Sequence, residues 1–440
     1  MTPGPAPAPA LVPTARRAGA GAGARNRRKP PFPPQDVTAD TGRAAEPDEP
    51  VEPAATPASA VEPGPAPDLR PYDALLLYSF GGPNKPEDVV PFLRNVTAGK
   101  GIPDSRLEEV GEHYYGFGGK SPINEQNLAL KAAIEAELAR RGVELPVVWG
   151  NRNWEPYTTD AIDELEALGA KNAVALVTSA YSSYSGCRQY REDLAVVLDG
   201  RGQLGPDGST GVQFDKVRSY FNHPGFAQAN VDAVLDGYAA LADKGGDGAA
   251  ARLVFVTHSI PDTMEAASRV SFATYSEQHL DLARVIAAEV SARLGHDVAW
   301  DLAYCSRSGP PSQPWLEPDV NDHLEALAQD GVRDVVLSPI GFVSDHMEVA
   351  YDLDTEAMET ATGLGMTAVR AGTVSTREPF VRGLVDLLVE RAALARGEDV
   401  EQATVGALPA FRSVCAPGCC LRRDGEPSGV PALCSTDIHS

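Results

Sequence analysis

Two short segments of the chain carry the residue types that metal and proton chemistry require. His258 lies just before Pro261, which ends a predicted strand. Further on, Glu348, Asp352 and Glu356 recur four residues apart in a predicted helix, which places three carboxylates on one stripe. A solvated acidic face is the ordinary interpretation, but like charges at this spacing destabilise a helix by ~0.2–0.5 kcal/mol per pair. The stripe is therefore a candidate path for hard cations or protons.

Each segment also has a purely structural interpretation. A single histidine at a strand end is usually a hydrogen-bonded structural residue. Ser344 or Asp345 is of the type that caps a helix N-terminus. Tyr78 precedes the turn Gly81-Gly82-Pro83, which lets a backbone approach a ligand closely but also suits any tight strand-to-helix connection. From the turn alone, Tyr78 is either packed in the core or directed into a crevice.

Short apolar runs that alternate with amphipathic stretches predict an α/β fold with parallel sheets covered on both faces. Two sets of four strands indicate two similar halves that meet near residues 225–250. Ligands in such folds bind beyond the carboxyl ends of the strands, where His258 and Glu348 are expected. The predicted strands are Tyr72–Tyr78, Pro146–Trp149, Ala173–Thr178, Val212–Arg218, Arg252–Thr257, Val298–Tyr304, Asp334–Val343 and Thr367–Ala371. The clearest predicted helices are Glu125–Arg141 and Asp319–Gln329.

Composition excludes several classes of function. The formal net charge of −23 argues against general nucleic-acid binding and against an anionic membrane surface as main partner. The longest apolar runs are too short to span a bilayer, and the first residues lack the apolar core of a secretory signal. We therefore expect a cytoplasmic protein. Six cysteines in such a protein are not a disulfide framework.

Composition also predicts four regions. Residues 1–70 hold 16 of the 37 prolines and few large apolar side chains, so they are expected to form a disordered tail. An N-terminal domain is predicted over 71–235 and a C-terminal domain over 236–395. Residues 396–440 form a cysteine-rich tail.

Four segments resemble the ferrochelatase family, and the resemblance covers about residues 72–395. It implies two Rossmann-like domains, each doubly wound around a four-stranded parallel sheet, that enclose a porphyrin cleft. The segments that begin at Thr257 and Ser344 resemble the family's two active-site signatures in order and separation. The segments are Tyr78 with Gly81-Gly82-Pro83, Gly118-Gly119-Lys120-Ser121-Pro122, Thr257-His258-Ser259-Ile260-Pro261, and Ser344-Asp345-His346-Met347-Glu348 followed by Tyr351-Asp352.

The resemblance also implies roles for single residues. His258 corresponds to the metal-site histidine and Glu348 to the facing carboxylate, so both are expected to be catalytic and to contact the substrate Fe2+. Asp352 and Glu356 are the candidate relay. The chemistry fits, because a porphyrin loses two pyrrole protons as the metal enters. An imidazole can accept a proton or bind ferrous iron, and a carboxylate can take the other proton.

Within the family, the resemblance favours the enzymes that act on coproporphyrin III, whose four propionates require polar anchors. Tyr78 is expected near the iron, while Ser121 and Tyr190 match propionate contacts. His113 stands where an arginine contact is expected. Four nearby cations are candidates to compensate for that arginine: Arg94, Lys100, Lys120 and Arg152.

Some ferrochelatases carry a 2Fe–2S cluster, and the cysteines resemble its ligands. Cys187 resembles the internal ligand, and Cys415, Cys419 and Cys420 resemble the group near the C-terminus. Four thiolates suit such a cluster. Cys434 is a substitute for one of the adjacent pair, and free thiols in a disordered tail are the alternative. Cys305 is expected to be a buried strand residue.

Alternatives from three classes remain open at this point. They are a protoporphyrin IX ferrochelatase, a cobalt chelatase of the same fold, and a non-catalytic haem carrier or redox sensor. The main expectation is a monomeric enzyme that inserts Fe2+ into coproporphyrin III to give coprohaem. A downstream coprohaem decarboxylase is its candidate partner, and no nucleic acid is expected.

Overall fold

A computed structural model of the 440-residue chain describes residues 66–204, 211–269, 272–309, 312–416, 418–423, 425–426 and 431–434. The predicted disordered tail therefore lies outside the described residues as far as residue 65. Four parallel strands form a first sheet in the order β2-β1-β3-β4. Their bounds are β1 Ala74–Ser79, β2 Val147–Asn151, β3 Asn172–Val177 and β4 Gln213–Lys216.

A second parallel sheet repeats this arrangement in the order β6-β5-β7-β8. The α/β fold with two four-stranded parallel sheets is thus confirmed, and every predicted strand is present with its ends shifted by a few residues. The largest shift is in β7, which ends before Pro339. The bounds are β5 Arg252–His258, β6 Trp300–Cys305, β7 Asp334–Ser338 and β8 Thr367–Arg370.

Helices cover both faces of each sheet. The described residues include eleven α-helices: α1 Val89–Val96, α2 Asp104–Tyr115, α3 Ile123–Arg140, α4 Thr158–Ala167, α5 Gln189–Gly200, α6 Pro224–Asp243, α7 Asp262–Ser268, α8 Tyr275–Leu294, α9 Val320–Gln329, α10 Met358–Gly363 and α11 Glu378–Ala395. A 3₁₀ turn spans Pro86–Asp88, and two π-helices span Tyr184–Arg188 and Val349–Ala357.

The strands form where they do because both of their faces are buried. In β1 every residue is buried, and successive side chains point to opposite faces. Leu75 and Leu77 pack into the large core that contains Leu130 of α3. Leu76 and Tyr78 face the other way, against Ile162 of α4. Each sheet is therefore a central layer that positions its strand ends.

The large core continues from the first sheet to the second, and α3, α6 and α11 lie between them. Side chains of both halves, such as Leu75 and Leu253, belong to it. Helix α6, which contains the predicted boundary at residue 235, packs against β7 and β8 of the second sheet. The division into two domains stays a prediction. No helix of the described ranges combines the length and apolarity needed to cross a membrane.

Candidate active site

A cleft opens where the carboxyl ends of the two sheets meet. Phe80 follows β1, and Thr178 follows β3, so the first half supplies one wall. His258 at the end of β5 and the segment Gly341–Glu348 after β7 supply the other. Ligands of parallel α/β folds bind at this edge. The cleft is therefore where the sequence places its chemistry.

His258 and Glu348 meet in this cleft. The Nδ1 atom of His258 lies 2.9 Å from Oε2 of Glu348. Both side chains remain accessible, with 32% and 45% of their surface exposed. Burial opposes the charged forms, but the carboxylate raises the pKa of His258 above its usual value, and the imidazole lowers the pKa of Glu348 to about 2. Each of the two groups therefore favours the charged form of the other, and both remain accessible to a substrate in the cleft.

The carboxylates behind Glu348 lie on a π-helix. Its hydrogen bonds join residues five apart, one more than in an α-helix. Asp352 accepts a hydrogen bond from Ser306, and burial raises the pKa of Asp352 to about 7. Glu356 is exposed at the far end. The stripe therefore begins in the cleft and ends at the surface, and its role as a relay stays a prediction.

The start of this helix differs from the prediction. Ser344 and Asp345 do not cap it: Ser344 lines the cleft, and Asp345 forms an ion pair with Arg370. Instead, the backbone N–H of Glu348 donates to Nδ1 of His346 at 3.2 Å. Burial lowers the pKa of His346, which keeps its ring a neutral acceptor. The helix thus begins two residues later than a cap by Ser344 would place it. The hydrogen bond from its backbone N–H to His346 holds Glu348 in position.

Two of the four predicted porphyrin contacts line the cleft, namely Ser121 and Tyr190. Ser121 is buried just before α3, beside Gly82. Tyr190 lies on α5, and the guanidinium of Arg152 lies 4.8 Å from the centre of its ring. A hydroxyl and a stacked cation at one wall suit an anionic substituent.

Tyr78 and His113 lie elsewhere. Tyr78 is fully buried, and its hydroxyl pairs with Thr158 Oγ1 at 2.7 Å. This corrects the expectation that Tyr78 points into the crevice, because strand alternation turns it towards α4 and α5. His113, on α2, stacks on Tyr351 with ring centres 3.9 Å apart. His113 therefore joins α2 to the π-helix beside Asp352.

The cations expected to compensate for His113 are mostly engaged in ion pairs. Arg94 pairs with Asp104, Lys120 with Glu125, and Arg152 with Asp193. Lys100 is half-buried, and that burial lowers its pKa. Of the four, Arg152 is the one that contacts a residue of the cleft wall, through the ring of Tyr190.

Four cysteines meet on the far side of the π-helix Tyr184–Arg188. The thiols of Cys419 and Cys420 are 3.4 Å apart, and Cys420 lies 3.0 Å from Ser182 Oγ. Hydrogen bonds with Cys415 and Cys420 hold the pKa of Cys187 well below its usual value. All four side chains are buried. The predicted internal cysteine and the three predicted tail cysteines therefore come together.

The remaining cysteines are placed differently. Cys434 donates its S–H to the backbone oxygen of Phe214 at 3.3 Å, and burial raises its pKa to about 12. Its own backbone oxygen accepts from the N–H of Cys415. Cys305 is buried at the end of β6, as expected. As the side chains stand, the described residues contain no group of three or more His, Cys, Asp or Glu arranged around a single metal ion.

Comparison with known proteins identifies the family. The family model named ferrochelatase matches residues 72–392. The chain belongs to the ferrochelatase family. It is therefore a metal chelatase, and the cleft with His258 and Glu348 lies within the matched region.

Relatives of the chain in this family carry one name. A protein of Streptomyces griseus named coproporphyrin III ferrochelatase is 52% identical over 371 residues, which cover 83% of this chain and 97% of the relative. A protein of Mycolicibacterium smegmatis with the same name is 51% identical over 319 residues, which cover 72% and 89%. Among solved structures, SirB from Bacillus subtilis with Fe3+ is 11% identical with a TM-score of 0.43, covering 74% of this chain and 97% of SirB.

Sequence reasoning missed most of the aromatic wall of this ferrochelatase-family cleft. Phe80 is the nearest case, since it lies two residues beyond Tyr78 and immediately before Gly81. Its position directly before the Gly81-Gly82-Pro83 turn was the signal that could have found Phe80, because residues at the strand ends reach the cleft. The aromatic side chains of the wall that were not predicted are Phe80, Phe92, Tyr114, Tyr181, Tyr275 and Phe342.

Proposed function

We propose that the chain inserts Fe2+ into coproporphyrin III to give coprohaem. The observation that carries this proposal is the pair of His258 and Glu348, 2.9 Å apart in a cleft walled by aromatic side chains. Flat aromatic walls suit a macrocycle, and the pair supplies a proton acceptor and iron ligands at one point. The relatives' name, coproporphyrin III ferrochelatase, supports the choice of porphyrin.

The proposed reaction exchanges two pyrrole protons for one ferrous ion. Fe2+ displaces the proton shared by His258 and Glu348 and is held there as substrate. The pair then accepts the pyrrole protons as iron moves to the porphyrin nitrogens. Asp352, whose pKa is raised to about 7, is suited to take a proton from Glu348 and release it towards Glu356. The two protons leave as the product forms, so charge balances.

The polar side chains of the cleft wall favour a porphyrin with four propionates over one with two. Ser121 and Tyr190 lie where hydrogen bonds to carboxylates are available, and Arg152 places a positive charge behind Tyr190. His113, which stacks on Tyr351, stays a proposed porphyrin contact. A polar group left unmet in a desolvated cleft costs ~1–3 kcal/mol. Protoporphyrin IX, which lacks two of the propionates, is therefore expected to react more slowly.

Anaerobic incubation of the full chain with coproporphyrin III and ferrous iron tests this function. We expect loss of porphyrin fluorescence and the appearance of a coprohaem spectrum. Protoporphyrin IX is the matched substrate, and equal or higher efficiency with it would contradict the coproporphyrin assignment. Cobalt insertion into a precobalamin ring without iron insertion would identify a cobalt chelatase. Tight coprohaem binding without turnover would identify a haem carrier.

We also propose a 2Fe–2S cluster on Cys187, Cys415, Cys419 and Cys420. Its support is that four buried thiols converge, while Cys434 is committed to the Phe214 carbonyl. When bound, the cluster would supply one-electron redox chemistry. The residues themselves already join the tail to the first half, since Arg188 donates to the Cys419 carbonyl at 3.1 Å.

Purification under anaerobic conditions tests the cluster. A red-brown protein with about two irons and two acid-labile sulfides per chain is expected, the stoichiometry that four thiolates support. A colourless protein that contains neither iron nor sulfide would mean that the four cysteines are free thiols and hold no cluster. We further propose that the chain is a monomer in the cytoplasm. A coprohaem decarboxylase is the proposed consumer of the product.

A further inference from the structure

Two buried cations beside the cysteines lack an acidic partner. Arg191 on α5 has 2% of its surface exposed, and Lys216 at the end of β4 has 4%. Other buried arginines of the chain pair with carboxylates: Arg188 with Glu192, Arg218 with Glu390 and Arg391 with Asp215. Among the described residues, no carboxylate lies within salt-bridge distance of Arg191 or Lys216. Burying a charge without a counter-charge is unfavourable, so each of these cations requires an anion close to it.

Hydrogen bonds do not replace that anion. Arg191 donates from Nη1 to the Leu433 carbonyl at 3.0 Å, while its Nε and Nη2 have no hydrogen-bond partner in the described part of the chain. Lys216 reaches the carbonyls of Val217 and Arg412 only at 3.4 Å. Neutral carbonyls therefore satisfy part of the donors but none of the charge.

The groups that face both cations are cysteines. Lys216 lines the same small cavity as Cys187, Cys415 and Cys419. Negative charge on Cys187 or Cys415 would stabilise both Arg191 and Lys216, and the two cations repel each other. The nearest carboxylate on β4, that of Asp215, is already bound by Arg391 at 2.7 Å and by the hydroxyl of Tyr72. If all four thiols stayed neutral, two mutually repelling buried charges would remain uncompensated.

The charge of the proposed cluster fits this pair. Two ferric ions, two sulfides and four thiolates carry a net charge of minus two. We propose that Arg191 and Lys216 are the counter-charges of the group bound by Cys187, Cys415, Cys419 and Cys420. They balance its oxidised form and favour the extra electron of its reduced form. This inference rests on the proposed cluster, and a zinc ion with four thiolates would carry the same charge.

Charge removal tests the inference. We compare the parent protein with Arg191→Gln and Lys216→Met, and use Arg201→Gln as control, because Arg201 follows the same helix but pairs with Asp163 and Glu166 on the surface. Iron and acid-labile sulfide are measured per chain. The midpoint potential is measured by redox titration followed by visible absorption. Both core variants should lose cluster content and shift the potential of the remaining cluster to more negative values, and the control should match the parent.

A charge-conserving variant separates charge from geometry. Arg191→Lys keeps the cation but loses the planar donor to Leu433, so its potential should stay near that of the parent. Parent-like cluster content and potential in both core variants would overturn the counter-charge role while the cluster stands. A shift in Arg191→Lys as large as in Arg191→Gln would also overturn it. If the parent protein contains neither iron nor sulfide, both the proposed cluster and this inference are wrong. Bound zinc in the parent would instead identify a zinc site with four thiolates, which carries the same charge. Porphyrin binding, followed by fluorescence, reports whether each variant is folded.

Discussion

The cleft and the cysteine site handle charge in opposite ways. In the cleft, His258 and Glu348 are hydrogen-bonded to each other, and about a third to a half of each side chain is accessible. At the cysteine site the four side chains are almost fully buried, and Arg191 and Lys216 beside them have no carboxylate partner in the described residues. A site that takes up and releases a cation benefits from charges that can separate and pair again. A site that retains an anionic group benefits from fixed, buried counter-charges.

The two sites nevertheless adjoin. Ser183, Ser185 and Gly186 of one short segment line the cleft, while Cys187 of the same segment meets the tail cysteines. One turn of π-helix therefore separates them. If the cleft and the cysteine site act independently, a mutation in one of them should leave the chemistry of the other unchanged.

The largest effect is expected from His258→Ala. Alanine removes the acceptor and ligand without adding bulk, and a positioned acid–base group contributes ~100- to 10,000-fold to a rate. Iron insertion should therefore fall at least ~100-fold, while cluster content stays unchanged. The measurement is the rate of coprohaem formation together with iron and sulfide analysis.

His296→Ala is the matched control, because His296 lies in an exposed turn after α8, where its ring contacts the Asp297 carbonyl, and it does not line the cleft in the described residues. It should keep the parent rate. Near-normal turnover in His258→Ala would end the assignment of this cleft as the metal-insertion site.

The second effect is expected from Cys187→Ser, which changes the cysteine site and leaves the cleft intact. Serine is a poor ligand for an iron–sulfur cluster, so the colour should disappear. Because cluster binding contributes to folding, the thermal midpoint should fall by about 2–4 °C or more, the shift that ~1 kcal/mol produces in a domain of this size. The pair of His258 and Glu348 is untouched, so metal insertion should survive in the folded variant.

Cys305→Ser tests whether any lost thiol has this consequence. Cys305 is equally buried but lies at the end of β6, outside the group of four. Its spectrum should match the parent spectrum. Loss of colour in Cys305→Ser, or its retention in Cys187→Ser, would contradict the ligand assignment.

Sequence reasoning located the cleft far better than the counter-charges. His258 and Glu348 follow β5 and β7, which are neighbours in the sheet, so position at strand ends was enough to bring them together. Tyr78 was misplaced because both faces of β1 are apolar, and the sequence does not mark which face meets the cleft. The π-helix was missed because acidic residues four apart are compatible with either helix. In the sequence, Arg191 and Lys216 resemble ordinary surface cations, because their burial depends on a tail about 200 residues away along the chain.

The third effect concerns the segment between the sites. His279 stacks on Tyr181 of the cleft with ring centres 3.6 Å apart, and the adjacent Gln278 bonds Ser182 beside Cys420. The Nδ1–H of His279 donates to the Tyr275 carbonyl, and its Nε2 accepts from Thr257. Burial lowers the pKa of His279 to about 3. The folded protein therefore keeps this ring neutral.

This neutrality predicts how stability depends on pH. Below the usual histidine pKa of 6.5, the unfolded chain binds a proton that folded His279 refuses, so stability is present above 6.5 and is lost as pH falls. Each such histidine contributes a slope of about 1.4 kcal/mol per pH unit. His223, whose pKa burial lowers to about 4, adds a second. In His279→Gln, urea unfolding between about pH 5 and pH 6 should show a slope lower than that of the parent by about 1.4 kcal/mol per pH unit. An unchanged slope would mean that His279 is protonated in the fold.

The smallest effect separates two adjacent residues of α5. Tyr190 lines the cleft, while Arg191 faces the cysteines. Tyr190→Phe removes one hydroxyl, and a hydrogen bond of this kind is worth about 1 kcal/mol, which corresponds to ~5-fold. The efficiency with coproporphyrin III should fall by about that factor if Tyr190 binds a propionate. The efficiency with protoporphyrin IX should change less, and the cluster potential should not move. An equal loss with both porphyrins would mean that Tyr190 shapes the cleft wall without reading propionates. A shifted potential would mean that one turn of helix does not insulate the two sites.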